Sequence, residues 1–179
     1  MRAVAAVLLM LAATAGCASG GAPAVGTPRS SAAGTAPGSP AAATMMICAD
    51  EIREEIAGAL GTELSAPLSP HWADHVYSCT YDYGGGRSMR LSVEELPDPA
   101  AASARLGRLR AGAVGSRAVN GLGDAAFARG DGSAVALRDR MVLTVDVSRL
   151  PAVFGTPPRP RAGVALTVAT TVMICWKEH

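Results

Sequence analysis

The sequence of 179 residues predicts an α+β fold, in which an antiparallel sheet of about five strands is covered by helices in the order α-β-β-α-β-β-β-α. Three observations support this class. Residues 49–60 place apolar side chains at every fourth position, as an amphipathic helix does. Residues 75–83 and 88–94 alternate between two faces on either side of a glycine turn. Short alternating runs joined by tight turns follow between residues 124 and 148, as expected for antiparallel neighbours.

The first helix, over residues 49–60, carries Ile52, Ile56 and Leu60 on one face. Acidic side chains fill its first turn, where the helix dipole favours negative charge, and Gly61 is a natural C-terminal stop. The apolar face is predicted to pack on the core, and the acidic residues form the solvated face.

The first two strands, residues 75–83 and 88–94, are predicted to form a β-hairpin with one buried face. Large side chains occupy the odd positions of both strands, and mostly polar or charged residues occupy the even positions. Three glycines, residues 84–86, supply the turn. A turn between two alternating strands is a simpler interpretation of these glycines than a cradle for an anion.

Pro97 and Pro99 interrupt the chain, and residues 100–113 then predict a second amphipathic helix. Its apolar face consists of Ala102, Leu106, Leu109 and Ala113. The arginines of this segment lie mostly off that face, so we interpret them as a solvated surface rather than a binding site. They are Arg105, Arg108 and Arg110.

Residues 124–129, 133–138 and 140–148 predict a three-stranded antiparallel meander. Asp131-Gly132 is a strong hairpin turn between the first two strands, and Asp139-Arg140 turns the chain again. The apolar side chains of the last strand share one face, which is expected to be buried.

The C-terminal region combines a loop with an apolar segment. Four prolines mark residues 151–161 as the loop. Residues 162–176 are nearly uncharged and rich in valine and threonine, so intrinsic propensity favours a strand. The apolar residues nevertheless fit two adjacent helical faces, and the run is too short to span a membrane. We predict a terminal helix that is largely buried on the sheet.

The N-terminus has the features of a lipoprotein signal. Arg2 precedes an apolar run of 11 residues, 3–13, which suits a secretory signal and is too short for a membrane-spanning helix. Small residues then lead to Cys17, and this arrangement resembles the bacterial lipobox, in which the cysteine thiol receives a diacylglycerol before cleavage. Residues 1–16 are therefore predicted to be a lipoprotein signal peptide, with a plain signal peptide as the alternative. Two or more acyl chains hold a protein stably on a membrane.

Residues 17–44 are predicted to be the lipidated Cys17 followed by a disordered linker. Alanine, glycine, proline, serine and threonine dominate this segment and cannot bury enough apolar surface to fold. Residues 45–179 are then a single globular α+β domain.

Cleavage removes Arg2 from the 16 basic residues, so 15 remain against 15 acidic residues, and no dense basic patch indicates nucleic-acid binding.

An exported chain meets an oxidising environment, so one pair among the remaining cysteines is expected to close. We favour Cys48–Cys79, because Cys48 opens a helix-like segment and Cys79 lies in a strand-like one. Pairings that use Cys175 remain open, and in the favoured pairing Cys175 is a small buried hydrophobic residue. The cysteine spacing is not typical of zinc, and we predict no metal site and no cofactor.

His71, Asp74 and His75 are the densest group of titratable side chains with catalytic or metal-binding potential. Two histidines four residues apart suit a metal on a helix, but Pro70 argues against a helix here. We interpret the group as an ordinary surface loop. The segment 121–126 loosely matches the dinucleotide-binding fingerprint, but that motif needs a strand before it and a helix after it, and residues 124–129 predict a strand here.

Three segments, ICADEIREEIAGALG, YSCTY and VNGLGDAAF, are similar to the small actinobacterial lipoproteins that carry domain of unknown function 3558. The resemblance covers roughly residues 47–147. It implies a Cys48–Cys79 disulfide and an α/β/α sandwich of PsbP-like type that serves as a binding or accessory module. That family has no assigned catalytic residues, so the resemblance implies none here.

Together these features predict a membrane-anchored extracytoplasmic lipoprotein, held by Cys17 on the outer face of the cell membrane. We predict that it is not an enzyme but a binding or interaction module of the cell envelope, with an envelope protein or a small ligand as its partner. A cleft is expected near residues 75–83 and the loop around Phe154. The alternatives are an envelope hydrolase or metal-dependent enzyme that uses the histidine cluster, and a purely structural spacer.

Overall fold

The computed structural model describes residues 38–178. The predicted signal peptide of residues 1–16, the predicted lipid attachment site Cys17 and the linker up to residue 37 lie outside the described residues. In the described part of the chain, no helix combines the length and the apolar character needed to cross a membrane.

A seven-stranded antiparallel sheet in the order β1-β2-β3-β7-β6-β5-β4 forms the centre of the fold. Its strands are β1 (His71–Ala73), β2 (Val76–Asp82), β3 (Ser88–Glu95), β4 (Arg117–Val119), β5 (Ala125–Ala128), β6 (Ala134–Arg138) and β7 (Met141–Asp146). The helices are α1 (Ala42–Met45), α2 (Asp50–Leu60), α3 (Pro99–Ala111) and α4 (Arg161–Glu178), and a 3₁₀ turn spans Met46–Cys48. A separate two-stranded ribbon consists of β8 (Val153–Phe154) and β9 (Arg159–Pro160).

The predicted α+β class is confirmed, but the sheet has seven strands and not about five. The two additional members, β1 and β4, are edge strands of three residues each. So short a segment shows no alternation that distinguishes it from a loop, and it becomes a strand because the adjacent strand offers hydrogen bonds. The PsbP-like type of sandwich stays a prediction.

Helices cover both faces of the sheet. α3 packs on β6 and β7 from one side, and α4, with α2 beside it, packs on the same strands from the other side. The strand register turns four buried alanines toward α4, and these small side chains allow the helix to approach the sheet closely. They are Ala126, Ala128, Ala134 and Ala136.

The α3 side of the sheet has its own apolar cluster around Phe127, which is fully buried. Ala102 from the helix and Val135, Leu137 and Val142 from the sheet surround the ring. Partly buried side chains pack around this cluster, namely Leu96, Leu106, Leu109 and Ala113. The apolar face predicted for the second helix is therefore confirmed, with its last member just beyond the helix end.

The predicted terminal helix is confirmed as α4, against its intrinsic propensity. Val164, Val168 and Val172 are fully buried on one side of it. A valine costs at most about 0.7 kcal/mol relative to alanine inside a helix. Burying the same side chain contributes about 1.5–3 kcal/mol. Packing on the sheet therefore outweighs the strand propensity.

The globular domain begins before the predicted boundary at residue 45. The Ala41 N–H donates to Glu95 Oε1 at 2.7 Å, and the Trp176 indole N–H donates to the Ala43 carbonyl at 2.8 Å. The end of the predicted disordered linker is therefore helix α1, which is attached to β3 and α4. Composition does not reveal these contacts, because the N-terminal segment contributes only backbone atoms to them.

Candidate functional site

The cysteine pair favoured from the sequence is joined, so this prediction is confirmed. Cys48 ends the 3₁₀ turn, Cys79 lies in the middle of β2, and the disulfide holds their Cα atoms 5.7 Å apart. On the same strand face, the Tyr81 hydroxyl donates to the Ile47 carbonyl at 2.8 Å. One covalent bond and one buried hydrogen bond thus attach the turn before α2 to the sheet. Cys175 is buried in α4, as predicted.

The cleft expected between residues 75–83 and Phe154 is filled rather than open. Tyr83 packs edge-on against Phe154 with ring centroids 4.8 Å apart, and both residues are only 5% exposed. Burial raises the pKa of the Tyr83 hydroxyl, so this group stays protonated at neutral pH. Aromatic pairs of this geometry stabilise a core. Tyr83 and Phe154 are therefore packing residues.

Tyr81 and Tyr83 differ in what their hydroxyl groups contact, so we expect different results when each hydroxyl is removed. Tyr81→Phe should lower the free energy of unfolding by about 1–3 kcal/mol, because it leaves the buried Ile47 carbonyl without its donor. The Tyr83 hydroxyl is buried without a hydrogen-bond partner among the described residues, so Tyr83→Phe should be neutral or slightly stabilising. Urea denaturation of both variants measures the contrast, and equal losses would contradict it.

The histidine cluster lies at an exposed hairpin. His71 belongs to β1, and Asp74 and His75 form the turn to β2 with φ angles of 51° and 62°. The predicted loop is wrong for His71, which lies in a strand, and correct for Asp74 and His75, and all three side chains are exposed as expected. Among residues 38–178, no group of three histidine, cysteine or acidic side chains is arranged to hold a metal ion.

The segment 121–126, which loosely matches a dinucleotide fingerprint, is held against the β6–β7 turn by Asp124. The Asp124 N–H donates to the Leu137 carbonyl at 2.8 Å, and Asp124 Oδ2 accepts the Asp139 N–H at 2.7 Å. Asp139 has a φ of 52°, which is uncommon for a residue other than glycine, so the carboxylate stabilises a strained β6–β7 turn. Strand β5 follows instead of a helix, which confirms that the fingerprint is coincidental.

A cleft lined by charged side chains lies at the end of α3. The last turn of α3, the loop 112–115 and the β5–β6 hairpin enclose about 640 Å³, and we call this space the α3 cleft. The Gly130 N–H donates to the Val114 carbonyl at 3.1 Å, which joins the loop to the hairpin. A Cβ atom at Gly130 would approach that carbonyl oxygen to 2.8 Å, so glycine is required for this contact.

Two arginines, Arg108 and Arg129, line the α3 cleft. Arg129 is half-buried, and its Nε atom is shielded from solvent and has no hydrogen-bond partner among the described residues. Arg108 is exposed, and neither arginine forms an ion pair with any residue from 38 to 178. Arg105, one turn earlier on α3, instead contacts Glu94 at 2.7 Å. A buried donor without an acceptor costs about 1–3 kcal/mol, so Arg129 marks a place where an ordered water or a ligand is expected.

Asp146 lies on the sheet near the α3 cleft and is opposite Arg90 in register. It accepts hydrogen bonds from the Ser133 hydroxyl at 3.4 Å and the Ser148 N–H at 2.9 Å. Partial burial raises the pKa of Asp146, but hydrogen bonds from both serines and the positive charge of Arg129 outweigh it and hold the pKa below its usual value. The carboxylate is therefore ionised at neutral pH and partly offsets the charge of Arg129.

Sequence reasoning did not identify the α3 cleft. It interpreted three arginines as a solvated surface, which describes Arg110 but misses the ion pair of Arg105 and the position of Arg108 in the cleft. Arg129 belongs to a different element and shares no local pattern with Arg108. Both line one cleft because the loop after α3 contacts the β5–β6 hairpin, and no sequence signal indicates that contact.

No family model, curated protein sequence or solved structure matches this chain. The resemblance to the lipoproteins with domain of unknown function 3558 therefore stays a prediction from short segments. What the protein does has to be argued from its own residues.

Proposed function

We propose that this protein is a lipid-anchored extracytoplasmic lipoprotein that acts as a non-catalytic binding module of the cell envelope, with the α3 cleft as its binding site. The observation that carries the proposal is the Cys48–Cys79 disulfide. Disulfides persist in compartments that are oxidising, such as the exterior of the cell membrane. The N-terminal segment predicts export with Cys17 as the lipid attachment site, so both features support the same location.

The side chains of the α3 cleft favour recognition over catalysis. Arginine stays protonated at physiological pH, so Arg108 and Arg129 can hold an anion but cannot accept a proton from a substrate. Asp131 accepts the Ser133 N–H at 2.8 Å and thereby stabilises the hairpin turn. Leu109 adds an apolar surface. This composition supports a cleft that binds and orients a ligand.

Neither alternative function has an observation in its favour. The envelope enzyme would depend on His71, Asp74 and His75, whose side chains are all exposed on a hairpin. A purely structural spacer would give no role to the unpaired arginines of the α3 cleft.

The anchor is tested by the intact mass of the chain extracted from membranes. We expect the wild-type chain to have lost residues 1–16, to begin at Cys17 and to carry a diacylglycerol group. Cys17→Ser should carry no acyl mass, because the thiol is the group that is acylated and a serine hydroxyl is a much weaker nucleophile than a thiolate.

Thr27→Ser, in the same low-complexity segment, is the matched control and should be lipidated like the wild type. A wild-type chain that begins at another residue would refute the anchor. Acyl mass on the Cys17→Ser chain would refute it equally.

A further inference from the structure

We propose that the α3 cleft binds a small amphiphile with one anionic group, a carboxylate or a phosphodiester, attached to a short apolar chain. This inference rests on the proposed function of the cleft as a binding site and names the class of its ligand. Three properties of the cleft lead to it: the unpaired arginines, a small excess of positive charge, and an apolar wall.

Arg108 and Arg129 provide the site for the anionic group. They lie on different elements, α3 and the β5–β6 hairpin, and both line the same cleft. The buried Nε–H of Arg129 has no acceptor in the described part of the chain. Because buried donors in native proteins are almost always paired, this nitrogen indicates an acceptor that the described chain does not supply. Carboxylate and phosphate oxygens are the acceptors that arginine binds most strongly.

The other charges of the cleft favour a ligand with a single negative charge. Asp131 lines the cleft, and the ionised Asp146 acts on Arg129 from the sheet. The C-terminal end of α3 adds about half a negative charge, which Arg108 and Arg110 in the last turn offset. The remaining positive excess is small. It suits a monoanion and does not suit a polyanion such as a nucleic acid.

The apolar chain of the ligand is expected against Leu109, Ala113 and Val114, which line the cleft beside the arginines. Val114 is 91% exposed, more than any other large hydrophobic residue in the described range. Covering such a side chain with an apolar group removes its surface from water and therefore favours binding. The cleft volume of about 640 Å³ lies within the range of small-molecule sites.

Octanoate is the probe, and its binding is measured by titration calorimetry on the full chain with Cys17→Ser, which carries no acyl group that could compete. We expect saturable binding. Arg108→Gln and Arg129→Gln should each weaken it roughly tenfold or more, because each removes a charge-assisted hydrogen bond. Arg140→Gln, at an exposed arginine of the β6–β7 turn outside the cleft, is the matched control and should bind like the parent. Thermal unfolding of each variant verifies that the domain is folded.

Three results would overturn the inference. Octanamide has the same chain without the charge. If octanamide and octanoate bound equally well, the ligand would not need an anionic group. If inorganic phosphate bound as tightly as octanoate, the ligand would not need an apolar chain. The α3 cleft would not be the binding site if octanoate failed to saturate at millimolar concentration, or if Arg140→Gln weakened binding as much as the cleft variants.

The failure of this inference is distinguishable from the failure of the proposed function. Acylation of Cys17 is read from the mass of the wild-type chain, so it does not depend on octanoate. A neutral molecule found in the α3 cleft would preserve the binding function and reject the ligand class proposed here.

Discussion

Phe127→Ala is expected to lower the free energy of unfolding by about 3–5 kcal/mol. The ring is fully buried between α3 and the sheet, next to Ala102, Val135 and Leu137. Its removal leaves a cavity that these neighbours cannot fill, because the alanine is too small and the strand residues are held in the sheet register. Domains are typically stable by about 5–15 kcal/mol, so this loss is a large fraction of the total.

Guanidinium denaturation measures the loss as a lower midpoint with an unchanged dependence on denaturant concentration. Val114→Ala is the control, because Val114 is 91% exposed and its methyl groups are already in water. That variant should differ from the wild type by less than about 0.5 kcal/mol. If Phe127→Ala were no more destabilising than Val114→Ala, the packing of α3 on the sheet would be wrong.

Removing the disulfide with Cys48→Ala and Cys79→Ala together is expected to lower the free energy of unfolding by about 3–4 kcal/mol. The two cysteines are 31 residues apart. The bond therefore restricts a long loop of the unfolded chain, and the variant regains that conformational entropy when it unfolds. The hydrogen bond from Tyr81 to Ile47 still attaches the 3₁₀ turn to β2, so we expect the variant to fold.

Chemical reduction provides the matched comparison for the disulfide. A reductant should destabilise the wild type by the same amount and leave the double variant unchanged. Wild-type protein whose stability does not respond to the reductant would contradict a structural role for Cys48–Cys79.

The bounds of elements with a clear hydrophobic periodicity were predictable to within about one residue. α2 spans Asp50–Leu60 against a predicted 49–60, and β2 spans Val76–Asp82 against a predicted 75–83. In both elements one face is buried and the other is solvated, so apolar and polar residues recur with the period of the helix or the strand. Elements without such periodicity, such as β1 and β4, form only because a neighbouring strand pairs with them, and the sequence did not predict them.

The helix α4 shows where local preference and packing disagree. Its threonines and valines favour a strand by intrinsic propensity. The apolar spacing favoured a helix, and burial of Val164, Val168 and Val172 on the sheet outweighs the propensity. At the N-terminal boundary of the domain, packing also outweighs the local preference. The composition of residues 38–44 predicts disorder, but the end of that segment forms helix α1.

The sequence by itself determined the α+β class, the order of the long helices and strands, and the most favourable cysteine pair, because periodicity and turn residues act over a few neighbouring positions. Only the tertiary structure decided that Arg108 and Arg129 line one cleft and that Tyr83 and Phe154 fill the space where a cleft was expected. These features depend on segments that are distant along the chain and close in space. Whether a charge is paired or a ring is packed is a property of those neighbours, and no local pattern of residues encodes them.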